Sequence, residues 1–272
     1  MITDGHNHTK HFSVDAVQTI DELISEAESK GFNRIGITEH YEIDYVDDGL
    51  NWMFDLDEYN KTFEEWRAKA KTVNFELLKG IEFGYQTHVA EEIDKVAASI
   101  PLDVVLMSVH LFRGKDFYVD RECYQMPAKE LHSEYINIMA EMCEKCNNFD
   151  VVAHYDYINR YADNKNDYMT YEECPKEFDR LFEVMISKDK ALEINTKSIQ
   201  KHKAGGFTRW LPDSAILNRY RDMGGKLITL GSDSHFPGTF AVSFNEAVEY
   251  LKSLGFKETV YYKDHKPFFE SL

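Results

Sequence analysis

Residues 4–8 read Asp-Gly-His-Asn-His, which places two imidazoles, His6 and His8, two positions apart. Side chains alternate along an extended chain, so both rings leave it on the same side. Imidazole is the commonest metal ligand, and the pair could grip one ion. The spacing alone is weak evidence, because scattered polar residues produce it often. Its company strengthens it. Glu39 and His40 follow the apolar run 34–38, Glu82 sits near the end of 75–83, and His110 closes 102–110. His154 closes 150–154, and Asp233 and His235 end the run that starts at Lys226. Thus six of the eleven histidines fall at the C-terminal ends of predicted strands or one residue beyond. Of the others, His88 and His132 read as helix-surface residues, His265 as a tail residue, and His11 and His202 as loop residues.

Imidazole and carboxylate donors without thiolate suit Zn, Mn or Fe, not a cysteine-type structural zinc. Seven or eight ligands exceed the needs of one ion, and Glu82 could bridge two. The chemistry such a cluster serves is hydrolysis. Metal lowers the pKa of bound water towards neutrality and offsets charge on the attacked group.

The elements that must position these residues follow from periodicity. Apolar residues recur at helical spacing over 13–27, with Ser13 as N-cap and Gly31 as the stop. Further helices are predicted over 57–72, 89–99, 127–146, 175–187, 213–223 and 244–254, and residues 191–195 add a strand. Counting the strand that carries His6, there are seven strand–helix units. Such alternation implies parallel pairing with right-handed crossovers. The expected fold is therefore α/β, a single domain over residues 1–272, with parallel strands inside outer helices. A closed seven-stranded (β/α)7 barrel is expected rather than an open sheet, because only a barrel brings every strand end to one mouth. Irregular stretches at 41–53, 111–126 and 155–172, and the loop at Gly205-Gly206, flank that mouth.

Composition narrows the function. The net charge of -17 disfavours a nucleic-acid partner. Four cysteines make no disulfide framework, and Cys143 and Cys146, though spaced Cys-X-X-Cys, read as a chance pair of thiols. No basic region leads into an apolar run, and no stretch approaches ~18 apolar residues. The expectation is a cytoplasmic protein without a membrane span; oligomeric state leaves no visible mark.

Taken together, the motifs at Asp4-Gly-His6-Asn-His8-Thr9, Gly36-Ile-Thr-Glu-His40, Gly80-Ile-Glu82, Ser108-Val-His110, Ala153-His154-Tyr-Asp and Gly231-Ser-Asp233-Ser-His235 resemble the polymerase and histidinol phosphatase (PHP) family of metal-dependent phosphoesterases. The motifs occur in family order over almost the whole chain. The resemblance implies a distorted barrel holding three divalent ions. One would take His6, His8, Glu82 and Asp233. A second would share Glu82 and add His110 and His154. A third would take His40, His235 and a residue after His8. Where many members place His or Asp, this chain has Val14, which leaves Asp15 as the preferred ligand and His11 as the alternative. Length and layout resemble the stand-alone histidinol-phosphate phosphatases, implying L-histidinol phosphate as substrate and a place in histidine biosynthesis. The alternative is another phosphoester, phosphotyrosine or a nucleoside bisphosphate. The implied mechanism has a metal-bridging hydroxide attacking phosphorus, with Glu82 and Asp233 at the catalytic centre and Asp233 or a metal-bound water as proton shuttle. Arg160 and Lys197 are the candidates to clamp phosphate, since guanidinium pairs phosphate bidentately. Residues 41–48 and the surroundings of Phe117 and Tyr118 are candidates to line the substrate's amine and imidazole. Amidohydrolase chemistry is disfavoured because no lysine stands at a strand end to be carbamylated, and a ligand-binding barrel without catalysis is disfavoured by the intact ligand series.

Overall fold

The computed structural model describes residues 2–45, 49–162, 168–199 and 212–272. Residues 46–48, His202 and Gly205-Gly206 lie outside the described residues. Helix α1 (Ile20–Ser29) leads to strand β1 (Arg34–Tyr41), α2 (Leu56–Lys71) to β2 (Glu76–Gly84), and α3 (Ala90–Ala97) to β3 (Val104–Ser108). A short hairpin, β4 (Leu111–Phe112) and β5 (Lys115–Asp116), precedes α4 (Ala128–Lys145) and β6 (Val151–Val152). Then come α5 (Pro175–Ser187), β7 (Ala191–Asn195), α6 (Ser214–Asp222), β8 (Ile228–Gly231) and α7 (Phe244–Ser253). The chain ends in a second hairpin, β9 (Glu258–Lys263) and β10 (Lys266–Ser271).

Six strands form one parallel sheet in the order β1-β2-β3-β6-β7-β8. Residues 4–8 form no strand of their own, only single bridges of Asp4 to Ile35 and Asn7 to Ser234. Their hydrogen bonds nevertheless reach both edges of the sheet. Gly36 N donates to Asp4 O and Thr38 N to Asn7 O on the β1 side, both at 2.8 Å. On the other side Gly5 N donates to Leu230 O, His8 N to Ser234 O and Asp233 N to His6 O, each at 2.9 Å. Gly36 permits this approach: a Cβ there would lie 2.6 Å from Gly5 O.

Helices pack on the outer faces of the sheet through apolar stripes, as Ile20, Leu23, Ile24 and Ala27 do for α1. That helix begins later than its periodicity predicts. Thr19 caps it, in a capping box with Glu22, contributing about 1 kcal/mol. Ser13 is not a cap, and Val14 and Val17, counted towards the helix, are exposed. His132 is another correction. It is buried in α4 and its Nδ1 pairs with Glu173 Oε2 at 3.2 Å.

The terminal hairpin has no counterpart in the sequence-based prediction. Its turn uses Asp264 and His265, both at positive φ (50° and 60°), the geometry of a two-residue hairpin loop. Val260 and Tyr262 pack against Val104, Leu106, Val151, Ala153 and Ala191. Full burial of such a side chain is worth about 1.5–3 kcal/mol. Asp103 and Asp150, just before β3 and β6, tie the turn down. His265 N donates to Asp103 O at 3.0 Å, and His265 Nδ1 to Asp150 Oδ2 at 2.9 Å. The hairpin thus covers the N-terminal ends of the strands, opposite the candidate ligands. Among the described residues no helix is long and apolar enough to cross a membrane.

Candidate metal centre

Strands buried on both faces have side chains of their inner face pointing at one another, and at the C-terminal end these are polar. Glu82 stands at the centre. Its Oε2 lies 3.0 Å from His6 Nε2, 3.2 Å from His40 Nδ1 and 3.4 Å from His8 Nε2. Its Oε1 lies 2.7 Å from His154 Nε2 and 3.3 Å from His110 Nε2, and it accepts the Ser108 hydroxyl. Asp233 Oδ1 is 3.5 Å from His8 Nε2 and 3.9 Å from His6 Nε2. Asp233 holds a left-handed backbone (φ 52°), unusual for a non-glycine residue and of the sort that costs about 1–3 kcal/mol. A second focus lies beside the first. His40 Nε2 and His235 Nε2 are 3.3 Å apart, with Asp15 Oδ2 3.0 Å from the latter and 3.9 Å from the former.

The structure therefore gathers His6, His8, Asp15, His40, Glu82, His110, His154, Asp233 and His235 at one mouth. His11 stays apart, exposed, with its ring against Phe12 and Trp66. Arg160 and Lys197 also reach the cluster. Arg160 Nη1 donates to Asp233 Oδ2 at 2.8 Å and its Nε to Ser198 Oγ at 2.8 Å. Lys197 Nζ sits 3.2 Å from Asp233 Oδ1. Phe117 does not line the mouth. It is fully buried against Phe112, Tyr124 and Tyr135, while Tyr118 is exposed. Tyr41 packs away from the cluster on Phe54 and Phe83, but Trp52, from the same connection, meets the His40 ring edge-on at 5.7 Å.

The charges fit cations. Burial would raise the Glu82 pKa, yet His6, His40 and His110 hold it well below the ordinary value. Burial likewise opposes ionisation of Asp233, but Lys197, Arg160 and His6 hold it well below its ordinary value. His8 is pushed well below by burial and by His40 and His235, so it keeps a free lone pair. Its Nε2 is buried and, among the described residues, has no hydrogen-bond partner; it lies between Glu82 and Asp233. A divalent ion among those donors would satisfy that nitrogen and both carboxylates, so the residues present fit a metal. Four such groups, each with ligand atoms within 4.8 Å of one another, occur among the described residues: His8, His40 and His235; His6, Glu82 and His154; His6, His8 and Asp233; His40, Glu42 and His110.

Three buried carboxylates stand behind the candidate ligands, and of these only Glu39 was marked by its place at a strand end. His110 Nδ1 pairs with Glu42 Oε1 at 2.6 Å, and His6 Nδ1 with Glu193 Oε1 at 2.7 Å. Glu39 accepts the hydroxyls of Thr9 and Ser13, both at 2.5 Å, and Ser13 Oγ lies 3.3 Å from His8 Nδ1. Burial pushes Glu39 up to about 7. Glu42 stands two residues after His40, and Glu193 is a charge inside an apolar strand. Both were signals that a face-by-face reading of the strands would have caught.

The PHP domain profile matches residues 4–197. A Clostridium acetobutylicum protein named "probable histidinol-phosphatase" is 30% identical over 97% of this chain and 98% of its own length. The histidinol-phosphatase of Lactococcus lactis subsp. lactis is 30% identical over 94% of this chain and 92% of its own. A crystal structure of histidinol phosphate phosphatase from that organism, in complex with Zn, L-histidinol and phosphate, superposes with a TM-score of 0.85 at 28% identity, covering 98% of both chains. With the motif order, the parallel sheet and the His/carboxylate cluster in agreement with these matches, the chain belongs to the PHP domain family.

Proposed function

We propose that this protein is a metal-dependent phosphate monoester hydrolase that converts L-histidinol phosphate to L-histidinol and phosphate, a step of histidine biosynthesis carried out in the cytoplasm. The observation that carries the proposal is the cluster built on Glu82, with the Arg160 guanidinium standing beside it. The names of the relatives, and the Zn, L-histidinol and phosphate in the related crystal structure, support the substrate. In this reading residues 4–8 act as the seventh stave of a distorted (β/α)7 barrel, one domain over the whole chain. The bonds of that segment to both sheet edges support it.

Three divalent ions would be held. His6, His8, Glu82 and Asp233 would hold one, Glu82, His110 and His154 a second, and Asp15, His40 and His235 a third. Zn suits these donors, as do Mn and Fe. When bound, such ions supply Lewis acidity and an activated water. The remaining work falls to the chain. Arg160 Nη2 is buried and, among the described residues, has no hydrogen-bond partner, while Nη1 and Nε are fixed by Asp233 and Ser198. A phosphoryl oxygen seated beside Asp233 would accept from Nη2. Lys197 Nζ, on the other oxygen of Asp233, adds a second positive charge to offset that of the phosphoryl group. Asp233, held as a carboxylate by both cations, has no proton of its own, so in this role it would first take one from the attacking water and then pass it to the leaving alkoxide.

The test is phosphate release from L-histidinol phosphate by metal-replete and chelated enzyme, beside a nucleoside bisphosphate, a phosphotyrosine peptide and a sugar phosphate. Preference for histidinol phosphate, lost on chelation, is expected. Chelator-sensitive preference for another ester would overturn the substrate and retain the metal chemistry. Absence of activity at confirmed metal content would overturn both.

A further inference from the structure

Strand β7 gives no ligand in the assignment above, yet its inner face carries a carboxylate that touches two ligands at once. Glu193 Oε1 accepts from His6 Nδ1–H at 2.7 Å. Glu193 Oε2 accepts the backbone N–H of His154 at 2.7 Å and the Asn195 side-chain amide at 3.1 Å. Both oxygens are thus occupied, and the side chain is 1% exposed. Gly231 on the neighbouring strand makes the room: a Cβ there would lie 2.2 Å from Glu193 Oε1.

The consequence for His6 follows from its two nitrogens. A carboxylate accepts only, so Nδ1 must carry the proton. In the neutral ring, the form that can hold a metal, Nε2 is then the lone-pair nitrogen, and it is the one that faces Glu82 and Asp233. The negative charge behind the ring also makes Nε2 a stronger donor. At the same time the bond to His154 N fixes the backbone from which that ring reaches Glu82 Oε1. His6 and His154 belong to different ions in the assignment proposed above, on which this inference rests. We infer that Glu193 is a positioning residue that sets the tautomer of His6 and the seat of His154 together, and so governs binding at the two sites that share Glu82.

Glu193→Gln keeps the shape but has one acceptor oxygen where His6 Nδ1 needs one and His154 N and Asn195 Nδ2 share the other. Its test is zinc binding by metal-stripped protein, measured by competition with a chromogenic chelator. The expected result is a loss of about 10- to 100-fold in affinity at two of the three sites. The third, made by Asp15, His40 and His235, should keep its wild-type affinity. The thermal midpoint of the metal-free variant checks that it folds. Independently, 15N-histidine spectra of zinc-loaded wild-type protein should show His6 protonated at Nδ1, a readout that needs no variant. Wild-type affinity at all sites in Glu193→Gln, or a His6 protonated at Nε2, would overturn the role. Failure of the wild-type protein to bind zinc would overturn the metal assignment itself, and this role with it.

Discussion

Replacing Arg160 with Met tests the proposed phosphate clamp and can be sized from its contacts. Met retains much of the buried aliphatic volume and removes the guanidinium. The group that the proposed clamp would lose is Nη2, a donor without a partner among the described residues. A hydrogen bond to a charged group is worth about 1.5–3 kcal/mol. At about 1.4 kcal/mol per tenfold, kcat/KM for histidinol phosphate should fall about 10- to 150-fold. The change also breaks the 2.8 Å pair with Asp233. Stripping one partner from a buried pair costs about 3–5 kcal/mol. Lys197, 3.2 Å from the other oxygen, should hold the loss towards the lower end. Unfolding midpoints measured with and without metal separate this structural loss from the catalytic one. Arg160→Lys keeps a charge but offers no fork, and should fall between wild type and Arg160→Met. Initial rates of phosphate release over a range of substrate concentrations are the assay. A folded Arg160→Met enzyme whose kcat/KM stays within threefold of wild type would refute the clamp.

Other expectations follow from single contacts. Asp15→Ala should lower bound metal by one equivalent in elemental analysis, and His11→Ala should not; the reverse would exchange their roles. His265, linked to Asp150 at the closed end, has its pKa raised first by that hydrogen bond and then, against burial, by the charges of Asp150 and Asp103. Its contribution to stability should be complete below the unfolded value, ~6.5, and disappear as pH rises through the raised value. The difference in unfolding midpoint between wild type and His265→Asn should therefore shrink as the pH is raised, and a constant difference would argue against it. Burial pushes the thiols of Cys146 and Cys174 up to about 12 and that of Cys123 to about 11, and Cys143 higher still. None should react quickly with iodoacetamide at pH 7.5 in the native protein, whereas all four should react after denaturation. Rapid formation of a Cys143–Cys146 disulfide would contradict this.

The clustered histidines and carboxylates were legible because they obey a rule of position: an ionisable residue where an apolar strand ends is costly unless it works. Residues that work from behind obey no such rule. Glu193 sits in the middle of a strand, and its use depends on Gly231, which lies 38 positions later and is paired with Asn195 on the adjoining strand. Residues 9–19 misled for another reason. Val14 and Val17 repeat at helical spacing, but Ser13 donates to Glu39 and accepts from His40 N, which holds this segment against the cluster instead of in a helix. The closing hairpin was missed although Thr259, Val260, Tyr261 and Tyr262 are strand formers, because its partner is the end of a finished sheet and not the next element in sequence.

The double-sided bonding of residues 4–8 bears on how the molecule comes into being. Ser232 N donates to Asp4 Oδ1 across 228 positions of chain, and His6 and His8 must wait for Asp233 and His235 to arrive. Contacts of such long separation form late and slowly. During synthesis, His40, Glu82, His110 and His154 emerge well before the last two ligands and could be sampled by ions in an incomplete pocket. Under the proposed assignment, full metal loading is then an event of the completed chain. Refolding followed with zinc present should show sheet formation first, with uptake of the ion proposed for His6, His8, Glu82 and Asp233 in a later and slower phase.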